Sequence, residues 1–264
     1  MASAFRSDLF AGHRVLVTGA GRGIGQAVAR AFLETGAEVL AHAGRAPRGA
    51  EEAFPGLTPE AAARLTLTAG DLAEEGGAES LLAELRAALG GLDLLVNNAG
   101  TMLGRVAAEA VTAEHYARVL DLNGSSAVLL SAGAIPLLRE SAAGDRGPAI
   151  VNTVSISART GGSPGSSLYS AAKAFVATHT RALARELAPD GIRVNAVSPG
   201  TIMTDFHRRY STPEKLEATA AAIPLGRLGT PEDCVGAYLF LAAPELSGYV
   251  TGQVLEVNGG QLMA

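Results

Sequence analysis

The sequence predicts an α/β fold: a single-domain, doubly wound, seven-stranded parallel sheet with helices on both faces. Its 264 residues suit one large domain, residues 1–264, and no internal linker divides them. Short β-branched apolar runs alternate with segments of helical period, which is the pattern of repeated strand–helix–strand units. The runs VLV, LDLLV and AIV are apolar throughout, as expected for strands that are buried on both faces.

The strand candidates, in chain order, are HRVLVTG, AEVLAHAG, RLTLTAG, LDLLVNNAG, PAIVNTVS, IRVNAVSPG and QVLEVNGG. The helix candidates between them are GIGQAVARAFLETG, AESLLAELRAALG, residues 112–138 and LYSAAKAFVATHTRALARELA. Two polar stretches, residues 45–63 and 201–230, interrupt the alternation after strand ends. Ligands of open α/β sheets bind beyond the carboxyl ends of the strands, so we expect residues 201–230 to form a lid over such a site.

Composition excludes several classes of function. The net charge of −5 and the pI near 5.6 argue against nucleic acid as a partner, because proteins that bind phosphate backbones carry a basic face. No apolar run approaches the roughly 18 residues of a membrane span. Cys234 is the only cysteine, so we expect it in the core and expect no disulfide and no metal site. The N-terminus lacks an apolar segment of signal-peptide length, which favours a cytoplasmic protein.

The first strand leads directly into TGAGRGIG, residues 18–25, and then into a helix. Gly19 allows a tight turn, Gly23 lets the backbone approach a pyrophosphate, and Gly25 permits close packing of helix and strand. The helix N-terminus adds unpaired N–H groups. A dinucleotide is therefore the expected ligand, although the spacing differs from the common G-x-G-x-x-G and is a hypothesis when taken alone.

The segment SSLYSAAKAF places Tyr169 and Lys173 four positions apart. On a helix this spacing puts both side chains on one face, where they could meet the same bound molecule. The alternative is an ordinary alanine-rich helix with a half-buried tyrosine and a solvated lysine. The rest of the chain has to decide between the two.

TGAGRGIG, NNAG at 97–100, Ser155, YSAAK at 169–173 and SPG at 198–200 together resemble the short-chain dehydrogenases/reductases, in the family's order and over nearly the whole chain. The resemblance implies a Rossmann-like domain, a nicotinamide dinucleotide, and hydride transfer between an alcohol and a carbonyl. The C-terminal SGYVTGQVLEVNGG resembles the family's last strand, which often packs across a subunit interface, and so implies a homotetramer.

The resemblance also implies four catalytic residues: Tyr169 as proton donor, Lys173 as the group that lowers its pKa, Ser155 as a hydrogen-bond donor to the substrate oxygen, and Asn123 as the holder of a relay water. Lowering a phenol pKa by some 3 units takes about 4 kcal/mol. A unit charge at 4 Å gives about 1 kcal/mol in water and about 4 at an effective dielectric of 20, so the pair must be desolvated.

The register of the serine is open, because the family usually places it one residue closer to the tyrosine than Ser155 and one residue further than Ser157. We expect Ser155, since its distance from the AIVN strand matches the family pattern. The Gly-rich loop GGSPGS could absorb the extra residue.

By the same resemblance Asp71 contacts the adenine, Asn97 braces the sheet and lines the cofactor path, backbone groups of Ile202 meet the carboxamide, and Thr204 lies near the pyrophosphate. The full set of implied cofactor contacts is Gly19, Gly21, Arg22, Gly23, Ile24, Gly25, Arg45, Asp71, Leu72, Asn97, Ala99, Gly100, Tyr169, Lys173, Pro199, Gly200, Ile202 and Thr204.

The end of the second strand bears on which dinucleotide is used. An acidic residue there would bind the ribose hydroxyls of NAD, but Ala43 stands at that position. Arg45 and Arg48 follow, and Arg22 lies in the glycine loop; guanidinium groups suit a 2′-phosphate. We therefore favour NADP(H), with NAD(H) as the alternative.

HAGRAP, TGGSPGSSLYSAAKAF and SPGTIMTDFH resemble the bacterial reductases of 4-deoxy-5-hexoseulose uronate, which implies a small sugar-derived or α-keto acid substrate. An anion would want cations near the lid, and the candidate substrate contacts are Arg105, Ser157, Arg159 and His207. The alternatives are a 3-oxoacyl thioester, a sugar or a polyol. A dinucleotide-binding sensor without turnover is the alternative of another class, and it would have no need of Tyr169 and Lys173.

Overall fold

Seven parallel strands form one sheet in the order β3-β2-β1-β4-β5-β6-β7, which confirms the predicted fold class. The computed structural model describes residues 5–46 and 49–263. The strands are β1 (Arg14–Val17), β2 (Glu38–Ala43), β3 (Leu65–Ala69), β4 (Leu94–Asn97), β5 (Ala149–Thr153), β6 (Arg193–Pro199) and β7 (Val254–Val257). Because the order reverses at β1 and β4, the two halves of the sheet wind in opposite directions and leave a crevice at their carboxyl ends.

Helices cover both faces of this sheet. In chain order they are α1 (Gly23–Glu34), α2 (Ala50–Ala53), α3 (Pro59–Ala62), α4 (Gly77–Leu89), α5 (Ala113–Leu120), α6 (Ser126–Ala143), α7 (Ser157–Thr160), α8 (Ser167–Leu187), α9 (Asp205–Tyr210), α10 (Pro213–Ala222), α11 (Pro231–Ala242) and α12 (Pro244–Ser247). Short 3₁₀ turns lie at Ala108–Ala110 and Ala188–Asp190.

The alternation of side chains along each strand builds two cores. Val15 and Val17 of β1 point into the core under α1 and α11, whereas Leu16 between them points into the core under α4, α6 and α8. Both faces of β1 are therefore apolar because both faces are buried, as its uninterrupted VLV pattern indicated. Cys234 is fully buried in the first of these cores, as expected.

The predicted helix over residues 112–138 is longer than expected and is interrupted. A π-helical turn at Asp121–Ser125 joins α5 to α6, so the helical segment runs from 113 to 143. By length and composition this segment could cross a membrane, with a mean hydropathy of 1.2, and 44% of its apolar window is buried inside the fold. Leu130 and Leu138 pack in the core against α4 and the sheet.

An ion pair holds the end of the sheet opposite the crevice. The fully buried Asp93 accepts hydrogen bonds from Arg14 N (2.8 Å), Arg14 Nε (3.0 Å) and Ser141 Oγ (2.7 Å), and Arg146 Nη1 lies 3.5 Å away. Burial alone would raise the pKa of the Asp93 carboxyl, but the hydrogen bonds from Arg14 and Ser141 outweigh it and lower the pKa.

The two polar stretches lie where strands end. Of the first stretch, residues 49–63 carry α2 and α3 and dock on α1, where Gln26 Nε2 donates to Ala53 O (2.6 Å) and Arg30 Nη2 donates to Pro55 O (2.7 Å). Residues 201–230 carry α9 and α10 and follow the carboxyl end of β6. The second stretch is thus placed at the crevice.

Candidate active site

The turn between β1 and α1 is closely packed and depends on its glycines. Gly19 and Gly23 have φ values of +66° and +59°, which glycine adopts without strain. A Cβ on Gly25 would overlap Asn98 Nδ2 and the Gly19 carbonyl oxygen. Close packing of the turn on its neighbours therefore requires glycine at these positions.

Asn98 and Thr18 brace this turn, and the sequence analysis missed both residues. Asn98 Nδ2 donates to Thr18 O (3.0 Å) and Gly19 O (3.2 Å), while Thr18 Oγ1 accepts from Asn98 N and Ala99 N at 3.0 Å each. The signal was the second asparagine of NNAG, because a strand places consecutive side chains on opposite faces. Its neighbour Asn97 points the other way.

Asn97 is the last residue of β4, and its side chain is buried on the face of the sheet that α6 covers. Its Nδ2 donates to Asn152 Oδ1 (2.9 Å) and to Ser131 Oγ (3.0 Å), which ties β4 to β5 and α6. The bracing part of its expected role matches this position. Its side chain lies away from the glycine turn, so contact with a ligand there would fall to the following Ala99 and Gly100.

The first turn of α1 fits a pyrophosphate. No side chain caps the helix N-terminus at Arg22, and no acidic residue lies in its first turn, so its N–H groups are free to receive an anion. Gly21 and Arg22 are exposed, whereas Ile24 is half-buried against the core. Thr204 of the lid stands over the turn, with its Cγ2 3.2 Å from a Cβ built on Gly23.

The end of β2 lies against this turn. A Cβ on Gly21 would be 3.0 Å from Ala43 Cβ, so the position where an NAD-binding acid is expected adjoins the glycine loop. Arg22 Nη1 lies 3.6 Å from Asp205 of the lid. Arg45 is exposed and forms no ion pair with any described residue, and Arg48 lies outside the described residues.

Asp71 and Leu72 follow β3 at the same edge of the crevice. Asp71 forms an ion pair with Arg118 and accepts a hydrogen bond from Ala73 N (2.9 Å). The Leu72 side chain is buried in the core beside Leu16. Only its backbone is therefore available for the expected cofactor contact.

Tyr169 and Ser155 meet at the floor of the crevice. Tyr169 lies in the first turn of α8, and Ser155 follows the end of β5. Desolvation raises the pKa of Tyr169 to about 12, and the hydrogen bond with the Ser155 side chain acts in the opposite direction. Of the two candidate serines, Ser155 is therefore the one that acts on the phenol pKa, and its Oγ also accepts a hydrogen bond from Ser157 N at 3.1 Å.

Lys173 lies one turn further along α8 and is buried, with 4% of its surface exposed. Its Nζ donates to Thr153 O at 2.9 Å and lies 5.9 Å from the centroid of the Tyr169 ring. Burial lowers the pKa of Lys173 to about 8. The Lys173 ammonium is thus desolvated and bound to the Thr153 carbonyl oxygen, and its lowering of the phenol pKa stays a prediction.

Asn123 reaches the same point from the π-helical turn. Its Nδ2 donates to Thr101 O and Val119 O at 2.9 Å each, and its Oδ1 is buried without a hydrogen-bond partner among the described residues. A Cβ on Gly100 would lie 2.7 Å from Asn123 Oδ1 and 3.1 Å from Lys173 Nζ. The three residues therefore meet, and only glycine at 100 leaves room between the two polar groups.

The segment after β6 forms the opposite wall. Gly200 N donates to Val257 O (2.9 Å), and Pro199 O accepts from Ile156 N (3.1 Å). Ile202 is buried and pairs as an isolated bridge with Gly229. These contacts fix the backbone that the resemblance assigns to the cofactor.

An aromatic cluster of the lid covers the phenol. The ring of Phe206 lies 5.6 Å from that of Tyr169 and 5.1 Å from that of Tyr210, whose hydroxyl is 3.3 Å from Thr101 Oγ1. Arg105 Nε donates to Tyr210 O (2.8 Å), which holds the end of α9. Phe206 was not predicted, because nothing in TDFH distinguishes its phenylalanine from a core residue.

His207 follows Phe206 and is half-buried between two cations. Desolvation and the charges of Arg105 and Lys215 lower the pKa of His207 to about 4, so its imidazole is neutral at pH 7. The surroundings of this imidazole are positive, and an anion placed there would be attracted.

The other two candidate substrate residues lie apart from the phenol. Ser157 Oγ belongs to a serine cluster around Gly162 with Ser166 and Ser170. Arg159 lies 3.8 Å from Glu256 and lines a cavity of about 150 Å³ between α7, α8 and β7. Ser155 also lines that cavity, so it separates the cavity from the crevice.

Known proteins share both sequence and fold with this chain. A family model described as Enoyl-(Acyl carrier protein) reductase matches residues 19–261. The 3-oxoacyl-(acyl-carrier-protein) reductase FabG of Vibrio cholerae is 35% identical over 252 residues, which are 96% of this chain and 98% of the relative. The glucose 1-dehydrogenase of Gluconobacter oxydans is 37% identical over 256 residues, with 96% and 93% covered.

Among solved structures, the NADH-dependent reductase A1-R′ responsible for alginate metabolism superposes with a TM-score of 0.87 and 34% identity, covering 98% of this chain and 100% of that one. Matches of this length and identity extend from the glycine turn through the lid to the last strand. The chain therefore belongs to the classical short-chain dehydrogenase/reductase family and is an NAD(P)-dependent enzyme acting on CH–OH and C=O groups.

Proposed function

We propose that the enzyme is an NADP(H)-dependent reductase of a small α-keto acid or sugar-derived carbonyl compound. The observation that carries the proposal is the arrangement at the crevice floor: Tyr169 faces Ser155, and the buried Lys173 lies one helical turn away. A sensor without turnover would gain nothing from burying an ammonium group there at a cost in stability.

Each catalytic residue has a distinct task in this proposal. Nicotinamide, when bound, supplies the hydride. The Tyr169 hydroxyl is protonated at neutral pH, since desolvation raises its pKa, and it donates the proton to the developing alkoxide, which is the stronger base. Ser155 donates a hydrogen bond to the same oxygen and stabilises its charge.

The proton lost by Tyr169 has to be replaced from solvent. Lys173, whose pKa of about 8 lies near neutral pH, exchanges a proton readily. The unpartnered Asn123 Oδ1 is buried beside it, and a water held there would connect the amine with the crevice.

The positive surroundings of His207 support an anionic substrate. The charges of Arg105 and Lys215 both act on the His207 imidazole, and a carboxylate on a substrate that reaches this part of the lid would gain from them. The similarity to the A1-R′ reductase responsible for alginate metabolism supports an acid derived from a sugar. The FabG and glucose dehydrogenase relatives keep a 3-oxoacyl thioester and a sugar or polyol as the alternatives.

The preference for NADP(H) rests on the end of β2. Ala43 cannot bind ribose hydroxyls, whereas the exposed Arg22 and Arg45 flank it and guanidinium groups suit a 2′-phosphate. The A1-R′ reductase is NADH-dependent, and NAD(H) is the alternative for this enzyme.

We also propose a cytoplasmic homotetramer. Large apolar side chains are exposed on three neighbouring helices, with Tyr116 on α5, Leu129 on α6 and Phe175 on α8 about half exposed. Such side chains on adjoining elements favour burial against another subunit. Light scattering coupled to gel filtration measures the mass directly, and a monomer would contradict this assembly.

The test of the function is oxidation of NADPH and of NADH with a panel of α-keto acids, sugar-derived aldehydes, polyols and acyl thioesters. We expect turnover with an α-keto acid, loss of at least about a hundredfold in Tyr169→Phe, and normal rates in Tyr249→Phe, whose side chain is fully exposed. Tight cofactor binding without turnover of any compound would favour the sensor.

A further inference from the structure

An ion pair joins the cofactor loop to the lid. Arg22 Nη1, in the glycine turn, lies 3.6 Å from Asp205 Oδ2, the first residue of α9. We propose that Asp205 is a specificity-determining residue, which competes with the 2′-phosphate of NADP for the Arg22 guanidinium and thereby weakens the preference for NADP over NAD. This inference rests on the NADP-binding role of Arg22 in the proposed function.

Arg22 lies where its guanidinium could bind either the Asp205 carboxylate or the 2′-phosphate of NADP. Gly21, the residue before it, packs on Ala43 at the end of β2, and this strand end is where α/β dinucleotide sites read the ribose 2′ position. A guanidinium offers planar, paired donors that suit a phosphate or a carboxylate equally well. Arg22 is 56% exposed, so its side chain is free to turn from one to the other.

Asp205 affects the two dinucleotides differently. Its carboxylate would hold the arginine that the added negative charge of a 2′-phosphate needs. NAD carries only hydroxyl groups at that position, so its binding leaves the ion pair intact. The competition therefore acts on NADPH and leaves NADH nearly unaffected.

The surroundings allow Arg22 to leave Asp205. Asp205 Oδ1 also accepts a hydrogen bond from Arg208 Nη1 at 2.9 Å, so the carboxylate keeps a cationic partner when Arg22 turns away. Both partners of the Arg22–Asp205 pair are partly solvated, at 56% and 43% exposed, and exposed pairs are weak. The ion pair therefore lowers NADPH affinity without abolishing it.

The experiment is a double-mutant cycle on binding rather than on turnover. Dissociation constants of NADPH and NADH are measured by isothermal titration calorimetry for the wild type, Asp205→Asn, Arg22→Gln and the double variant. We expect Asp205→Asn to tighten NADPH about two- to fivefold and to leave NADH unchanged. We expect Arg22→Gln to weaken NADPH about tenfold and to abolish the effect of Asp205→Asn.

A matched control removes a different lid charge. Glu214→Gln, in α10, also takes one negative charge from the lid. Glu214 forms no ion pair with any described residue, so this variant should leave NADPH affinity unchanged. An equal gain in Glu214→Gln, or a gain in Asp205→Asn that persists without Arg22, would overturn the competition in favour of a general charge effect.

The outcomes also separate this inference from the proposed cofactor preference. If Arg22→Gln weakens NADPH but Asp205→Asn changes nothing, the competition is overturned and the NADP assignment stands. If Arg22→Gln leaves NADPH affinity unchanged, Arg22 does not bind the 2′-phosphate and the competition is overturned. The NADP assignment is then decided by whether the wild type binds NADPH more tightly than NADH. A thermal melt of each variant confirms that the compared proteins are folded.

Discussion

The ring of Phe206 stands 5.6 Å from the ring of Tyr169, tilted by 45°. A six-residue lid helix therefore places an apolar cover directly on the phenol, although the two residues are 37 positions apart in the sequence. The cover limits the access of water to the site and contributes to the desolvation that raises the pKa of Tyr169.

We expect Phe206→Ala to lower kcat/KM about three- to tenfold, because aromatic pairs of this geometry contribute about 0.5–1.5 kcal/mol beyond burial. Phe206→Leu keeps an apolar cover and should retain most of the activity. Steady-state kinetics of the two variants measures this difference. Equal rates in all three proteins would show that the lid ring has no part in the reaction.

The two candidate serines make a matched pair of variants. Ser155 faces the Tyr169 hydroxyl, whereas Ser157 Oγ belongs to the cluster around Gly162. We expect Ser155→Ala to lower kcat about a hundredfold or more, as loss of an oxyanion donor does, and Ser157→Ala to stay within about threefold. The reverse ranking would assign the role to Ser157.

Burial of Lys173 predicts a pH-dependent stability. Its pKa falls from 10.5 to about 8, so between these values the unfolded chain binds more protons than the folded one, and the Lys173 contribution to stability rises with pH. Relative to Lys173→Met, the wild type should gain about 2–3 kcal/mol in the free energy of unfolding from pH 7 to pH 10. Urea unfolding at both pH values measures it, and a constant difference would contradict a lowered pKa.

Gly100 is predicted to be intolerant of a single methyl group. A Cβ there would lie 2.7 Å from Asn123 Oδ1 and 3.1 Å from Lys173 Nζ, so one of these polar groups has to move. We expect Gly100→Ala to lower kcat at least about tenfold, because catalysis depends strongly on the placement of such groups. Gly236→Ala in α11, where a Cβ meets nothing within 4 Å, should leave the rate unchanged.

Asp93 is predicted to stabilise the fold from the end of the sheet opposite the crevice. Asp93→Asn leaves Arg14 without its carboxylate, and breaking a buried pair costs about 3 kcal/mol. The pKa of Asp93 is lowered, so its contribution is present above the ordinary value of 3.8 and is lost as pH falls through the folded-state pKa. Urea unfolding should therefore show a gap between wild type and variant at pH 7 that narrows below about pH 4; a gap that persists in acid would contradict a lowered pKa.

The sequence was sufficient for the sheet, the glycine turn and the Tyr169–Lys173 helix, because each depends on local periodicity or on glycine at a required position. It did not reveal Phe206 or the partner of Arg22, since both depend on how a polar lid folds back over the sheet. Nor did it reveal that Arg159 pairs with Glu256. Such contacts join distant segments, and no local pattern records them.

The orientations of the Asn97 and Asn98 side chains could be predicted only in part from the sequence. Strand alternation determines that the two side chains diverge, but which of them points at the turn depends on the register of β4 beside β1, where Val96 lies opposite Val17. The pKa of Lys173 could also be predicted only in part. The Tyr-x-x-x-Lys spacing places the amine on the same helix face as Tyr169 but does not indicate how deeply the amine is buried.

The π-helical turn at Asp121–Ser125 makes the number of residues in this segment as important as their identity. A π-helical turn holds one residue more than a regular helical turn, so it absorbs an extra residue and lets α5 and α6 continue as one helical segment. Deleting one residue here would restore a regular helix, and Asn123 would lose its place beside Lys173. The extra residue of the turn and the asparagine at position 123 therefore act together to bring a polar group to Gly100 and Lys173.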